Sequence, residues 1–431
     1  MEGNNIFKQL IRDFHTRSII KAKSRDYSIP LNTGKIITLI GARRSGKTYL
    51  LYQIIEQVLQ NTPHKKIIFI NFEDERLELQ ANELNRLLEA VMELYPEEND
   101  LSEYYFFFDE IQNIFGWEKF VRRLYDQYSK NIYVTGSNSK LLSSEIATAL
   151  RGRSLSYTVY PLSFKEYLSF KSIQPELYAT QGRARVRHAL EQYLVQGSFP
   201  EIVLLDDTLV QRQILQEYYQ VMVFRDLIER YQIRNTQALK FFLKRLSASH
   251  SKKVSVNRLY NDLKSAGISV GKTSLYEFME AAEAIFFTGI LKKYSQKIST
   301  RELGERKIYL IDNGSFNAIH FQTQADQGKG LEQMVYWELR RRHPAPDSIS
   351  YYRDKTECDF IIQDNGKTQV IQVCFEMHDS KTRQREIIGL INACHYFSMK
   401  EGLIITWNQQ ETFTQQNVNI RVLSIDEYLL G

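Results

Sequence analysis

Eight consecutive residues, Gly41-Ala42-Arg43-Arg44-Ser45-Gly46-Lys47-Thr48, place a lysine and a hydroxyl at the end of a glycine-bounded loop. That spacing matches a phosphate-cradling loop: Gly, four residues, Gly-Lys, then Ser or Thr. Backbone N–H groups of such a loop, with the start of the next helix, surround nucleotide phosphates. Lys47 would reach the β- and γ-phosphates, Thr48 would ligate Mg²⁺ through its hydroxyl, and the binding stretch runs on through Tyr49. A second pair, Asp109-Glu110, ends an aromatic run. Asp109 would hold Mg²⁺, commonly through water, and Glu110 would polarise the attacking water. One carboxylate alone suits metal binding; the second points to hydrolysis. Ser137 and Asn138, after the following apolar run, are placed to meet the γ-phosphate or the water. Arg151 and Arg153 flank Gly152 further on. An arginine presented in cis, or by a neighbouring subunit, can stabilise charge on a transferring phosphoryl group. A surface turn with two solvated arginines fits the same spacing.

These residues need a scaffold that aims them at one point. Residues 35–40 (KIITLI) read as a buried strand before the loop, and residues 48–59 carry apolar side chains at helical spacing after it. Residues 66–72, 104–108 and 131–135 read as further strands, with helical patterns between them. Strands alternating with helices predict an α/β fold, a parallel sheet covered by helices on both faces. Ligands then bind at the carboxyl ends of the strands, where the polar residues named above all fall. Residues 1–30 read as one amphipathic helix with Phe7, Leu10, Ile11 and Phe14 on one face.

At 431 residues the chain is too long for one ordinary domain. Its 43% hydrophobic and 25% charged residues exclude a disordered chain. No apolar run reaches the ~18 residues a membrane helix needs, and the amino terminus lacks a signal-type apolar core. Three late cysteines, Cys358, Cys374 and Cys394, have neither disulfide-framework nor zinc spacing, so a cytoplasmic setting is expected. The net charge of +5 is too small to argue for nucleic acid by itself.

GARRSGKT, FFFDEIQN, VTGSNSKLL, LRGR followed by YPLSF, QGSFPEIV and FRDLIERYQI stand in that order. The ordered set resembles a large family of bacterial and archaeal P-loop ATPases of the AAA type, related to origin-recognition ATPases and carrying a C-terminal domain of unknown function. The resemblance runs from about residue 35 to residue 407. It implies that Lys47, Thr48, Asp109 and Glu110 bind and hydrolyse ATP with Mg²⁺, that Asn138 is a sensor and that Arg153 is the arginine. It implies a P-loop core over 31–165, followed by a helical lid over 166–235 that would pack over the nucleotide.

Residues 236–312 give three helices and a strand pair, the order of a winged helix. Residues 251–310 hold 11 Lys/Arg against 6 Asp/Glu, with Lys292, Lys293, Lys297, Arg301, Arg306 and Lys307 in the wing. A basic wing suits DNA phosphates. Glu277, Glu280 and Glu283 on the presumed recognition helix would repel them, which suits a protein partner or another copy of the chain. Residues 313–431 resemble a restriction-endonuclease-like α/β domain. Glu332 and Asp359 match its first two acidic positions, while Gln372 and Cys374 stand where Glu and Lys belong. A lysine from the helix near Lys381 or a carboxylate at Glu376 would be needed to restore it, so this domain is expected not to cut DNA.

Overall fold

The structure is a computed structural model of the chain and describes residues 2–18, 21–98, 100–137, 148, 150–319 and 327–431. It divides into two compact units, residues 1–160 and 161–431.

The first unit is built on five parallel strands: β1 (Ile36–Ile40), β2 (Ile67–Asn71), β3 (Tyr105–Asp109), β4 (Asn131–Gly136) and β5 (Ser154–Thr158). Their order across the sheet is β2-β3-β4-β1-β5. A parallel strand is buried on both faces and so reads as a continuous apolar run. The run YFFFD shows why: successive side chains alternate sides. Phe106 and Phe108 join a core with Phe7, Ile11, Leu87, Trp117 and Leu124. Phe107 joins the opposite core with Ile37, Leu39, Leu51, Ile55 and Tyr133. Helices α1 (Glu2–Thr16), α3 (Asn85–Leu94) and α4 (Trp117–Gln127) supply the first face, and α2 (Lys47–Val58) the second.

Two expectations change here. The amino-terminal helix ends at Thr16 rather than near residue 30, and residues 21–30 are irregular. A fifth strand, SLSYT, follows Gly152 and pairs with β1 through the register Ile36 to Ser154 and Ile40 to Thr158. The sheet therefore extends past the strand read as its last.

In the second unit, α5 (Phe164–Phe170), α6 (Thr180–Gln196), the single turn α7 (Pro200–Val203) and α8 (Thr208–Val221) lead into a π-helix over Met222–Glu229. Then come α9 (Thr236–Ala248), β6 (Lys253–Val254), α10 (Val256–Ser265), α11 (Lys272–Ala284), β7 (Thr288–Lys292), the short α12 (Ile298–Leu303) and β8 (Arg306–Leu310). β6, β8 and β7 form one antiparallel sheet. α13 (Asn313–Ile319) and α14 (Gln327–Arg342) precede a six-stranded mixed sheet of β9 (Ile349–Arg353), β10 (Glu357–Asp364), β11 (Lys367–Val373), β12 (Glu401–Thr406), β13 (Glu411–Gln415) and β14 (Val418–Ser424). α15 (Ser380–Tyr396) packs on that sheet, and α16 (Ile425–Leu430) closes the chain. Helices α5 to α8, read from the chain as the lid, fall within this unit, which begins at Pro161.

The QGSFP turn shows what holds the unit together. Asp312 accepts hydrogen bonds from the Ser198 N–H (2.6 Å), the Ser198 hydroxyl (2.9 Å) and the Ser315 N–H (3.0 Å). Gly197 has φ +85°, and a Cβ there would lie 2.1 Å from the Asp312 carboxylate. Only glycine permits that approach. No helix among the described residues is long and apolar enough to cross a membrane.

Candidate functional site

β1 ends at Ile40, and the chain turns at once into the phosphate-loop sequence. A Cβ at Gly41 would sit 2.0 Å from the Val159 carbonyl oxygen, so the strand can enter the loop there only as glycine. Arg44 (φ +66°) and Gly46 (φ +96°) adopt left-handed backbone, and α2 then starts at Lys47. Alternating backbone handedness of this kind turns successive N–H groups inward, the geometry of an anion-binding nest. The carbonyls that point outward need donors. The Lys47 ammonium takes Gly41 O (3.3 Å) and Ala42 O (3.2 Å), and the Arg25 guanidinium takes Ser45 O at 2.6 Å.

The expected pair at the end of β3 converges on the same point. Thr48 donates its hydroxyl to Asp109 Oδ2 at 2.7 Å, and Thr135 of β4 donates to Asp109 Oδ1 at 2.5 Å. Thr135 Oγ1 also accepts the Glu110 N–H at 2.8 Å. Lys47 Nζ lies 3.2 Å from Glu110 Oε1, and Gln112 donates to the other Glu110 oxygen. Glu110 holds φ +50°, an unusual backbone for a non-glycine residue and one common at functional sites. Burial and the neighbouring Glu110 charge push the Asp109 carboxyl up to about 6, against the Thr135 and Thr48 hydrogen bonds. Burial also raises Glu110, but the Lys47 ammonium, Gln112 and Arg43 outweigh it and hold Glu110 below its ordinary value. The two adjacent carboxylates are thus pushed apart, which is how one site obtains groups of different basicity.

Among the described residues, Ser45 Oγ, Gln112 Oε1 and Ser137 Oγ are buried beside this network without a hydrogen-bond partner. Buried polar atoms are normally satisfied, so a row of orphans around a nest of N–H groups fits a polar occupant such as a phosphate with its metal. Thr48 and Asp109 are the residues that would hold Mg²⁺, and their shared hydrogen bond already sets both oxygens at one place. Arg43 pairs with Glu73 at 2.9 Å, and Tyr49 is exposed on the first turn of α2. Asn138 lies outside the described residues.

Arg151 and Arg153 do not reach this network. The Arg153 carbonyl accepts Ile36 N–H at 2.8 Å, which puts it at the amino-terminal edge of the sheet. The phosphate loop leaves the carboxyl edge, about 16 Å of strand away at ~3.3 Å per residue. The Arg153 side chain pairs with Asp126 at 2.9 Å, and Arg151 is exposed at φ +50° beside Gly152. Strand direction therefore sets Arg151 and Arg153 at the opposite edge of the sheet from their own chain's phosphate loop. Sequence reasoning also missed Arg25. It is buried in an irregular segment and also donates to Tyr160 O at 2.8 Å, and no pattern in the chain marks it.

Lys47→Ala removes a charge-assisted phosphate contact and the donor for two loop carbonyls. It is expected to weaken ATP binding by roughly 10- to 100-fold. Titration with a fluorescent ATP analogue measures this, and unchanged affinity would place the phosphates elsewhere.

In the second unit the expected basic wing is largely spent on internal partners. Lys292 pairs with Glu302 (2.8 Å) and Asp347 (3.4 Å), and Arg301 pairs with Glu302 at 3.2 Å. Arg306 donates to the Glu302 carbonyl and meets Met279 Sδ at 3.5 Å. Lys307 is buried and reaches Asp359 (2.7 Å), Glu332 (2.9 Å) and Glu357 (3.0 Å). Glu277, Glu280 and Glu283 all lie on the exposed side of α11. At the nuclease-like positions, Gln372 accepts the Asp359 N–H with its carbonyl oxygen and donates its amide to Glu386. Cys374 turns its thiol to the Glu376 carbonyl at 3.1 Å.

An AAA domain family matches residues 33–168. Two domains of unknown function, DUF8612 and DUF4143, match residues 187–326 and 327–428. The uncharacterized protein MJ1544 of Methanocaldococcus jannaschii is 37% identical over 89% of this chain and 84% of its own length. An uncharacterized protein of Haemophilus influenzae is 28% identical over 86% of this chain and 88% of its own. Among solved structures, the Aeropyrum pernix ORC1 protein in complex with DNA aligns at 13% identity with a TM-score of 0.31, over 74% of this chain and 91% of that one. A likeness at that TM-score carries no argument about function.

Proposed function

We propose that this chain, which belongs to the family of AAA-domain proteins that includes the Methanocaldococcus jannaschii relative, binds ATP with Mg²⁺ and hydrolyses it. The observation that carries the reading is the single network joining Lys47, Thr48, Asp109, Glu110 and Thr135 at the mouth of the phosphate loop. Lys47 would exchange Glu110 for phosphate oxygens, and Glu110 would then be available to take a proton from the attacking water. The loop N–H groups would fix the phosphates in line with that water, the main contribution a protein makes to phosphoryl transfer. Thr48 and Asp109 would hold Mg²⁺, which neutralises charge on the β- and γ-oxygens when bound. Thr135 orients both acidic residues. Ser137 and Gln112, each with an orphaned oxygen, are nearby candidates to contact the γ-phosphate or the water. Arg153 would complete the site of a neighbouring copy, since its own site lies at the other edge of the sheet.

The cycle is passed on through residues 236–312, and two partners fit that segment. The order α9, β6, α10, α11, β7, β8 suits a winged helix on duplex DNA, the partner expected from the basic count. The charges favour a second reading, a protein-docking module. Four of the six wing cations are engaged by acceptors within the unit, and the outer side of α11 is lined with carboxylates. Repulsion of phosphates by such a side is costly at short range.

The test is an ATPase assay with Mg²⁺, with and without duplex and single-stranded DNA. Hydrolysis accelerated by DNA, with a steep loss as salt rises, supports the DNA reading. A rate that no DNA alters leaves the protein partner. Absence of any hydrolysis, with or without DNA, would overturn the enzymatic reading.

A further inference from the structure

A restriction-endonuclease-like domain implies a divalent metal held by its helical Glu and strand Asp, here Glu332 on α14 and Asp359 on β10. The side chains do not fit one. Asp359 Oδ1 is taken by Lys307 (2.7 Å) and Oδ2 by the Val373 N–H (3.0 Å). Glu332 Oε1 accepts from both Lys307 (2.9 Å) and the Tyr309 hydroxyl (2.6 Å). Glu357, two residues before Asp359 on the same side of β10, gives one oxygen to Lys307 (3.0 Å) and the other to Lys253 (2.5 Å). Gln372 has turned its carbonyl oxygen back onto the Asp359 N–H. A hard cation needs several oxygens free to converge on it. What they converge on here is an ammonium.

We propose that Lys307 is the resident cation of the pocket formed by Glu332, Glu357 and Asp359, an internal substitute that excludes divalent metal from the nuclease-like domain. The lysine and its ligands come from different domains. Lys307 lies on β8, within the segment 187–326, whereas all three carboxylates lie within 327–428. The side chain is 3% exposed and surrounded by the Tyr351 ring at 5.8 Å and the three carboxylates, so it is not a surface charge that strayed inward. An ammonium offers three donors, and three carboxylate acceptors match that number. All three acceptors are further tied, by Tyr309, Lys253 and the Val373 N–H, which fixes them around the lysine rather than around a metal. The arrangement also explains why neither Glu376 nor a lysine from α15 is recruited: a cation is already supplied from another strand.

The proposal predicts a gain of metal binding, a result that a merely structural ion pair would not give. Manganese titration followed by electron paramagnetic resonance is run on the full chain without nucleotide. The wild type and Asp359→Asn should bind the same number of Mn²⁺ ions, because Asp359 holds none. Lys307→Met, close in shape but uncharged, should bind an additional Mn²⁺ per chain and gain a few degrees of melting temperature as Mn²⁺ is raised. The double variant Lys307→Met, Asp359→Asn should lose that gain. Lys307→Arg, which keeps the charge, should bind no more Mn²⁺ than the wild type. A wild type that loses an Mn²⁺ on Asp359→Asn would overturn the proposal. So would a folded Lys307→Met that binds no more metal than the wild type. Should Lys307→Met fail to fold, a loss of Mn²⁺ on Asp359→Asn would still overturn the proposal.

Discussion

Arg153→Ala is expected to lower the ATPase rate of the assembled protein by about 10³- to 10⁵-fold, the range for an arginine acting on a transferring phosphoryl group. The expectation rests on position. Arg153 sits beside Ile36 at the amino-terminal edge of the sheet, paired with Asp126 and within reach of solvent. From there it does not meet the Lys47–Asp109–Glu110 network of its own chain, and it is proposed to serve another's. Mixing distinguishes this from a structural role. Arg153→Ala chains retain a working Glu110, and Glu110→Gln chains retain a working arginine. Two inactive preparations that recover activity on mixing place the arginine across an interface. No recovery, with Arg153→Ala alone near the parental rate, would return the residue to an ordinary surface pair with Asp126 and move attention to Arg151.

Glu110→Gln should slow turnover by roughly 10²- to 10⁴-fold while ATP stays bound, since the amide fills the same space but accepts no proton. Binding is expected to tighten slightly if it changes at all. Lys47 now pairs with the Glu110 carboxylate at 3.2 Å, and a neutral partner competes less with phosphate. Single-turnover hydrolysis and equilibrium binding, measured side by side, separate the two effects. Hydrolysis at the parental rate would show that some other group orients the water.

Much of the first unit could be read from the chain because buried parallel strands write themselves as apolar runs, and KIITLI, KIIFINF and YYFFF each announce one. The shape of the phosphate loop and the position of Asp109-Glu110 at a strand end were legible for a related reason: both are set by residues adjacent in sequence. What escaped was of another kind. SLSYT is an edge strand, only partly buried, and its alternating small polar residues carry no apolar signal. Arg25 acts on Ser45 and Tyr160, 20 and 135 residues away, and nothing local marks it. Lys307 was visible as a positive charge, but its meaning lies in Glu332, Glu357 and Asp359, 25 to 52 residues distant. Counting charges along a segment gave its net charge and misjudged how much of that charge faces outward.

The separation of Arg153 from the phosphate loop bears on symmetry. A two-fold axis matches a patch with itself. If it sets the two sheets antiparallel, each copy's arginine edge would face the other's site, residue i meeting j and j meeting i, and both sites would be served in a dimer. Copies that offer an arginine to the next without receiving one back from it would instead meet head to tail. Such contacts do not end of themselves: they close into a ring if the rotation per copy divides a full turn, and otherwise run on as a filament. In an open run the last copy always has an unserved site. If Arg153 serves a neighbour, activity per chain would be complete at two copies in the two-fold arrangement, and would climb with the number of copies joined, levelling off only when the ring is shut, in the head-to-tail one.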